Sequence, residues 1–276
     1  MSYPKKITIG LFDSGVGGLT VLRGLIDRIP EANYLYFGDT ARLPYGSKSA
    51  ETVAHYAVGA IRYLEQQGAD LLVIACNTAT ALALKEIEAA TKSPVIGVVE
   101  PGAQAAAAAS KKRKVVVIGT EATVGSHAYR RALETRGVSA REKACPLFVP
   151  LVEEGWVDHP VTEQVARIYL SDVFTDESGN TDVLLLGCTH YPLLRPLLRR
   201  VVPQHIQIVD SAESTAETVA GVVCKNVTNL SHEATARKNE PHMKFFATDS
   251  AEKFTRMGSR FLGLPVKDVT HVDLKE

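Results

Sequence analysis

Cysteine and net charge are the two properties that this sequence has little of. Only four cysteines stand among 276 residues, and none of them forms a CxxC motif. This scarcity disfavours a zinc site or a disulfide scaffold. There are 31 basic residues (lysine and arginine) and 31 acidic residues (aspartate and glutamate), so the formal net charge is zero. A nucleic-acid binder that depends on overall positive charge is therefore disfavoured, and a small molecule is the expected partner.

Long apolar segments are also lacking. No window approaches the roughly 20 apolar residues that span a membrane, so no membrane partner is expected. Residues 1–6 run directly into an alternating apolar segment and lack the apolar stretch of a signal peptide. We therefore expect a cytoplasmic protein whose thiols stay reduced. Hydrophobic residues make up 45% and charged residues 22%, which is typical of a globular protein with a sizeable core.

Short apolar strands alternate with helical stretches along the chain. The pattern predicts strands at 7–12, 34–37, 71–75, 95–99, 115–118, 147–149, 183–186, 206–209 and 243–247. It predicts helices at 19–29, 51–67, 78–90, from 101 onward, and at 124–136, 161–173, 193–201, 212–224 and 250–261, with a loop at 228–241. Apolar strands joined by helical crossovers indicate an α/β fold with mostly parallel sheets flanked by helices.

Two segments suggest that the chain consists of related halves. Residues 71–78 and 183–190 both consist of an apolar strand, a small residue, a cysteine and two polar residues. Apolar strands resemble one another by chance, but the matched cysteine favours a duplication.

Three polar clusters lie where a predicted strand ends and a helix begins, at 13–14, 76–78 and 188–190. In an open α/β sheet, ligands bind beyond the carboxyl ends of the strands. A helix N-terminus offers free N–H groups and partial positive charge, which favour carboxylates and activate cysteines. These clusters are therefore the candidate site.

Cys76 and Cys188 occupy two of these turns, whereas Cys145 and Cys224 are interpreted as small hydrophobic residues. A redox couple is one alternative, and a single nucleophile with His190 as its base is another. Two matched thiols facing one pocket favour a different chemistry, in which one thiol removes a proton from a carbon and the other returns a proton on the opposite face.

The remaining segments carry weaker signals. The glycine turn at 15–20 matches neither GxGxxG nor a Walker A loop, so nucleotide binding is disfavoured and close approach of a small anion is favoured. Asp39 follows a strand within a turn-rich segment. Glu153 and Glu154 form a charge pair that, taken alone, is typical of a solvated loop.

Taken together, these segments resemble the bacterial glutamate racemases, which are part of the cofactor-independent aspartate/glutamate racemase superfamily. The matching motifs are GLFDSGVGGLTV at 10–21, YFGDTARLPYG at 36–46, ACNTA at 75–79, CPLFVPLVE at 145–153 and LGCTHYPL at 186–193, with 118–120 and 209–211 also fitting. The matches run in order from about residue 7 to 215, and the last sixty residues match only loosely.

The resemblance implies interconversion of L- and D-glutamate without pyridoxal phosphate, metal or any other cofactor. It implies that Cys76 and Cys188 are the acid/base thiols, assisted by Asp13 and His190 respectively. The family pattern assigns Cys76 to the D form and Cys188 to the L form. Asp39 and Glu153 match further acidic positions of the site. The substrate-binding set implied by the resemblance is Asp13, Ser14, Tyr45, Gly46, Asn77, Thr78, Thr120, Thr189 and His190.

It further implies two pseudo-symmetric domains, 1–97 plus 209–276 and 98–208, with the site in the cleft between them. D-glutamate would supply peptidoglycan synthesis, and a homodimer is expected. Some members are thought to bind DNA gyrase, for which this sequence offers no signal.

Two alternatives remain: a related enzyme, such as an aspartate or hydantoin racemase or a one-thiol decarboxylase, and a non-enzymatic dicarboxylate sensor or interaction module.

Overall fold

The computed structural model describes residues 6–174, 181–227 and 242–274, and their strands form two parallel sheets. The strands are β1 (Thr8–Asp13), β2 (Asn33–Gly38), β3 (Leu71–Ile74), β4 (Val95–Gly97), β5 (Lys114–Gly119), β6 (Ser139–Ala144), β7 (Val183–Gly187), β8 (Gln207–Asp210), β9 (Met243–Ala247) and β10 (Val269–His271). The predicted loop at 228–241 lies outside the described residues.

The first sheet has the strand order β10-β9-β2-β1-β3-β4, and the second has the order β6-β5-β7-β8. All pairings are parallel, with β1 between β2 and β3, and β7 between β5 and β8. Parallel strands require crossover connections, and helices provide them here. The carboxyl ends of neighbouring strands therefore lie along one edge of each sheet.

Most of the helices lie in segments that the sequence predicts to be helical. The helices are α1 (Leu19–Arg28), α2 (Ala50–Gln66), α3 (Asn77–Ala90), α4 (Val99–Ala109), α5 (Glu121–Gly125), α6 (Ala128–Glu134), α7 (Phe148–Glu153), α8 (Pro160–Leu170), α9 (Arg195–Val201), α10 (Ser211–Val227) and α11 (Ala251–Leu262). The predicted α/β fold with mostly parallel sheets and flanking helices is confirmed.

The strand predicted at 147–149 is wrong, because this segment opens α7. Phe148 and Val152 are both buried and lie four residues apart, which is the spacing of one helix face. The strand of this region is instead β6, whose sequence SAREKA is polar. An edge strand tolerates such residues, since one of its sides has no neighbouring strand.

The single helix predicted at 124–136 is also wrong, since α5 and α6 are separate helices. The chain turns at His127, which has a φ of 54° in the left-handed region. Near the C-terminus, sequence reasoning missed β10, a three-residue strand with little burial.

The predicted domain boundary falls inside β8. Val209 and Asp210 pair with β7 in the second sheet, although the predicted boundary assigns them to the first domain. The division into two domains stays a prediction.

The largest apolar cluster contains residues from both sheets and from the helices between them. Ile9 of β1, Leu22 of α1, Leu184 of β7 and Ala216 of α10 all belong to it, and each is fully buried. Burial of apolar surface is the main favourable term in folding, so this cluster couples the stability of the two halves. Within the described ranges, no helix has both the length and the apolar character needed to cross a bilayer.

Truncating the core should destabilise the protein far more than truncating its surface. We expect Ile9→Ala to lower the free energy of unfolding by about 2–5 kcal/mol, because Ile9 is fully buried. The matched change Ile168→Ala should alter it by less than about 0.5 kcal/mol, because Ile168 is 71% exposed. Urea unfolding of the two variants measures the difference, and equal losses would contradict the assigned core.

Candidate active site

The candidate site lies where the carboxyl ends of β1, β3 and β7 approach one another. Asp13 ends β1, Cys76 follows β3, and Cys188 follows β7. Their exposed fractions are 1%, 5% and 6%. The predicted turns are thus neighbours inside the protein, and the charges among them act in a poorly hydrated environment.

Cys76 caps the N-terminus of α3. Its Sγ accepts a hydrogen bond from the Ala79 N–H at 3.4 Å and donates one to Ser14 Oγ at 3.6 Å. Burial and the negative charge of Asp13 together raise the pKa of Cys76 to about 12. Cys76 is therefore a protonated thiol at neutral pH.

Asp13 is a buried carboxylate with one satisfied and one unsatisfied oxygen. Its Oδ2 accepts a hydrogen bond from the Gly15 N–H at 2.9 Å, whereas Oδ1 has no hydrogen-bond partner among the described residues. Burial raises the pKa of Asp13, and the positive charge of His190 opposes that rise. Asp13 therefore interacts electrostatically with both Cys76 and His190.

His190 forms an ion pair with Glu153, with 3.2 Å between Nε2 and Oε1. Burial alone would lower the pKa of His190, but the side-chain hydrogen bonds with Cys188 and Glu153, and the charges of those groups, raise it to about 10. Burial alone would raise the pKa of Glu153, yet His190 holds it below its usual value. At neutral pH, an imidazolium therefore lies beside Cys188.

Close packing fixes the turn that carries Thr189 and His190. The His190 ring meets Phe261 of α11 edge-on, with 5.1 Å between ring centroids. Thr20 Oγ1 donates a hydrogen bond to the Thr189 carbonyl at 3.1 Å. A Cβ atom on Gly17 would lie 2.3 Å from Thr189 Oγ1 and 2.6 Å from His190 Nδ1. Glycine is therefore required at position 17 for the glycine turn to approach this side of the site.

Three threonine hydroxyls form a closed triangle between the two halves. Thr78 Oγ1 lies 2.9 Å from Thr120 Oγ1 and 3.2 Å from Thr123 Oγ1, and the last two lie 2.9 Å apart. Gly46 packs against the same group, since a Cβ there would lie 2.9 Å from the Thr120 Cβ. Sequence reasoning missed Thr123, although its spacing of three residues from the N-cap Thr120 was a usable signal.

Asn77 follows Cys76 at the start of α3 and is 3% exposed. Its Oδ1 accepts hydrogen bonds from Tyr129 Oη at 2.6 Å and from Ser211 Oγ at 3.3 Å. Its Nδ2 is buried and has no partner among the described residues. A buried amide N–H without an acceptor is costly, so this donor is suited to a ligand.

Asp39 has its own set of partners, distinct from the groups around the thiols. Its Oδ2 accepts a hydrogen bond from Tyr45 Oη at 2.6 Å, and its Oδ1 accepts from Arg42 at 3.0 Å and from Thr248 at 2.8 Å. The pKa of Tyr45 lies far above its usual value, mainly because the side chain is buried. The negative charge of Asp39 adds to this effect, and Cys76 contributes as well. Asp39 is therefore linked to Cys76 indirectly, through Tyr45.

A cavity of about 100 Å³ lies beside Glu153 of the ion pair. Its lining includes Glu153, Lys253 and Met257. The positive charge of Lys253 contributes to the lowered pKa of Glu153. In the part of the chain that the structure describes, no cluster of histidine, cysteine, aspartate or glutamate is arranged to hold a metal ion.

The charge of Asp13 should control the ionisation of Cys76. We expect Asp13→Asn to lower the pKa of Cys76, because it removes the anion that disfavours a thiolate. Below that pKa the thiolate fraction rises about tenfold per pH unit, so the variant should be alkylated faster at any fixed pH. The rate of iodoacetamide labelling at Cys76, followed by mass spectrometry between pH 7 and 10, measures this.

The exposed carboxylate of Asp249 provides the control. Asp249→Asn should leave the labelling curve of Cys76 unchanged. A labelling curve that does not move in Asp13→Asn would contradict the assigned electrostatic coupling.

Comparisons with known proteins identify the family of the chain. The family model described as Asp/Glu/Hydantoin racemase matches residues 20–219. The chain is 61% identical to a glutamate racemase of Koribacter versatilis, with 98% of each chain covered. It is 45% identical to one of Syntrophus aciditrophicus, again with 98% of each covered.

Solved structures also match over nearly the whole chain, at lower sequence identity. Glutamate racemase RacE1 of Bacillus anthracis matches with a TM-score of 0.89 and 36% identity, covering 98% of this chain and 99% of that one. The Francisella tularensis glutamate racemase in complex with D-glutamate matches with a TM-score of 0.87 and 32% identity, with 98% of each chain covered. The chain therefore belongs to the Asp/Glu/hydantoin racemase family and is a racemase.

Proposed function

We propose that this protein interconverts L- and D-glutamate by transferring protons between the substrate α-carbon and two thiols. The observation that carries the proposal is the pair of buried cysteines, Cys76 and Cys188, at converging strand ends with opposite charges beside them. Glutamate as the substrate is supported by the relatives named glutamate racemase and by the Francisella structure in complex with D-glutamate.

The unsatisfied polar atoms of the site match the groups of an amino acid. Asn77 Nδ2 is a donor without an acceptor, and Asp13 Oδ1 is an acceptor without a donor among the described residues. A carboxylate and an ammonium group supply the missing partners. The proposed binding set also includes four hydroxyl side chains and two residues that follow β2, which are Ser14, Thr78, Thr120, Thr189, Tyr45 and Gly46.

The charges beside the two thiols suggest how each direction of the reaction begins. In one direction the thiolate form of Cys188 takes the α-proton: the C–H bond breaks, an S–H bond forms, and the electron pair stays on the substrate. The protonated thiol of Cys76 then gives its proton to the opposite face of the carbon and is left as a thiolate. His190 supplies the positive charge that stabilises the Cys188 thiolate before it accepts the proton, and Glu153 holds that imidazolium in place.

The opposite direction requires Cys76 to lose its proton first. Asp13 is the neighbouring base, and its raised pKa makes it a better proton acceptor than an ordinary aspartate. Following the family pattern, we assign Cys188 to L-glutamate and Cys76 to D-glutamate. Asp39 contributes to the site by holding Tyr45.

The chain would divide into two domains, residues 1–97 plus 209–276 and residues 98–208, with the site between them. The product D-glutamate would serve peptidoglycan synthesis, and the enzyme would be a cytoplasmic homodimer.

Proton NMR in D₂O tests the reaction. Incubated with L-glutamate, the wild-type protein should remove the α-proton signal while D-glutamate accumulates in a chiral assay. Cys76→Ser and Cys188→Ser should each slow inversion by about 10²–10⁴-fold, because each removes one of the two acid/base groups.

Cys145→Ser is the matched control, because Cys145 is buried near Cys188 yet its Sγ donates a hydrogen bond, at 3.8 Å, to the Lys143 carbonyl. It should retain inversion at close to the wild-type rate. An intact α-proton in reduced, folded wild-type protein would refute the proposal, and aspartate and hydantoins in parallel tubes would identify a related racemase.

A further inference from the structure

Tyr129 is a fully buried side chain at the start of α6 that belongs to none of the motifs in the sequence. It follows β5 of the second sheet, but its hydroxyl donates a hydrogen bond of 2.6 Å to Oδ1 of Asn77, which follows β3 of the first sheet. Asn77 directly follows Cys76. The Tyr129 hydroxyl is therefore one residue away from the first thiol.

The ring of Tyr129 lies against the turn that carries the second thiol. A Cβ atom on Gly187 would be 2.9 Å from Tyr129 Cε2, and one on Gly102 would be 3.2 Å from Cε1 and from the hydroxyl. Gly187 directly precedes Cys188. Its missing side chain allows the ring to pack on the backbone there, so one side chain contacts both thiol-bearing turns.

The hydrogen bonds of Asn77 also fix the orientation of its amide. Burial raises the pKa of Tyr129 above its usual value, so the hydroxyl keeps its proton and acts as a donor. The Ser211 hydroxyl, 3.3 Å from the same oxygen and 3.4 Å from the Leu186 carbonyl, is a second, weaker donor whose proton is shared between these two acceptors. The amide oxygen is thus held by protein donors, and Nδ2 is the group of the amide that has no partner among the described residues.

We infer that Tyr129, with Ser211, is a positioning residue that orients the Asn77 amide so that Nδ2 donates to a substrate carboxylate. The inference rests on the proposed function, since it concerns glutamate bound between the two thiols. Without the hydroxyl the amide is free to rotate. The rotated amide presents its oxygen to the carboxylate, which repels it.

Tyr129→Phe removes the hydroxyl and keeps the ring against Gly187. We expect KM to rise about 10-fold for both enantiomers, the effect of one lost buried hydrogen bond, with kcat changing less than about threefold. Ser211→Ala removes the weaker donor and should raise KM by a smaller factor. Steady-state kinetics with L- and D-glutamate measure both parameters.

A double-mutant cycle with Asn77→Ala separates positioning from general damage. If Tyr129 acts through the amide, Tyr129→Phe should change KM by less than about twofold in the Asn77→Ala background. An equal 10-fold rise in both backgrounds would overturn the inference, because the hydroxyl would then act by another route.

Tyr34→Phe is the matched control. Tyr34 is also fully buried, and its hydroxyl donates to the carbonyls of Leu25 and Ile29 at 3.0 and 2.7 Å. It should lower Tm about as much as Tyr129→Phe while leaving KM unchanged. An unchanged KM in Tyr129→Phe, with an active wild type, would overturn this inference alone. Absence of turnover in the wild type would overturn the proposed function and this inference with it.

Discussion

The site depends on one electrostatic arrangement: two buried thiols, one beside a negative charge and the other beside a positive charge. Asp13 disfavours the loss of the Cys76 proton, while the His190 imidazolium adds positive charge beside Cys188. Buried charges interact more strongly than solvated ones, so small displacements of these groups change the electrostatic field at both sulfurs. In the proposed reaction, one sulfur must hold a proton while the other accepts one. The unequal surroundings supply that difference before substrate arrives.

The fold produces this arrangement from repeated strand-to-helix turns. Cys76 follows β3 and Cys188 follows β7, so each thiol lies at the carboxyl end of a parallel strand. Such positions come together when the carboxyl-end edges of two sheets, each built of parallel strands, lie next to each other. The remaining requirement is close approach, which Gly17 permits against His190 and Gly187 permits against Tyr129. Side chains at these positions would separate groups that have to touch.

The sequence predicts the parts of this site that are local and misses those that depend on distant contacts. Cys76 and Cys188 are recognisable because each lies directly between an apolar strand and a helix. The hydrogen bond from Tyr129 to Asn77 joins residues 52 positions apart, and no local pattern indicates it. The helix break at His127 depends on a left-handed backbone conformation, which the apolar pattern of residues 124–136 does not predict. Strand β6 was missed because the polar residues of an edge strand resemble those of a loop.

The unsatisfied atoms of the site explain why its binding and its protonation are coupled. Asp13 Oδ1 and Asn77 Nδ2 flank Cys76, one at the end of β1 and the other in the residue after the cysteine. Leaving either buried atom unpaired costs free energy, and a bound amino acid recovers that cost. An ammonium group on Asp13 also partly neutralises the anion that holds the pKa of Cys76 high. In the proposed reaction, substrate binding therefore brings Cys76 closer to the ionisation that the D-to-L direction requires.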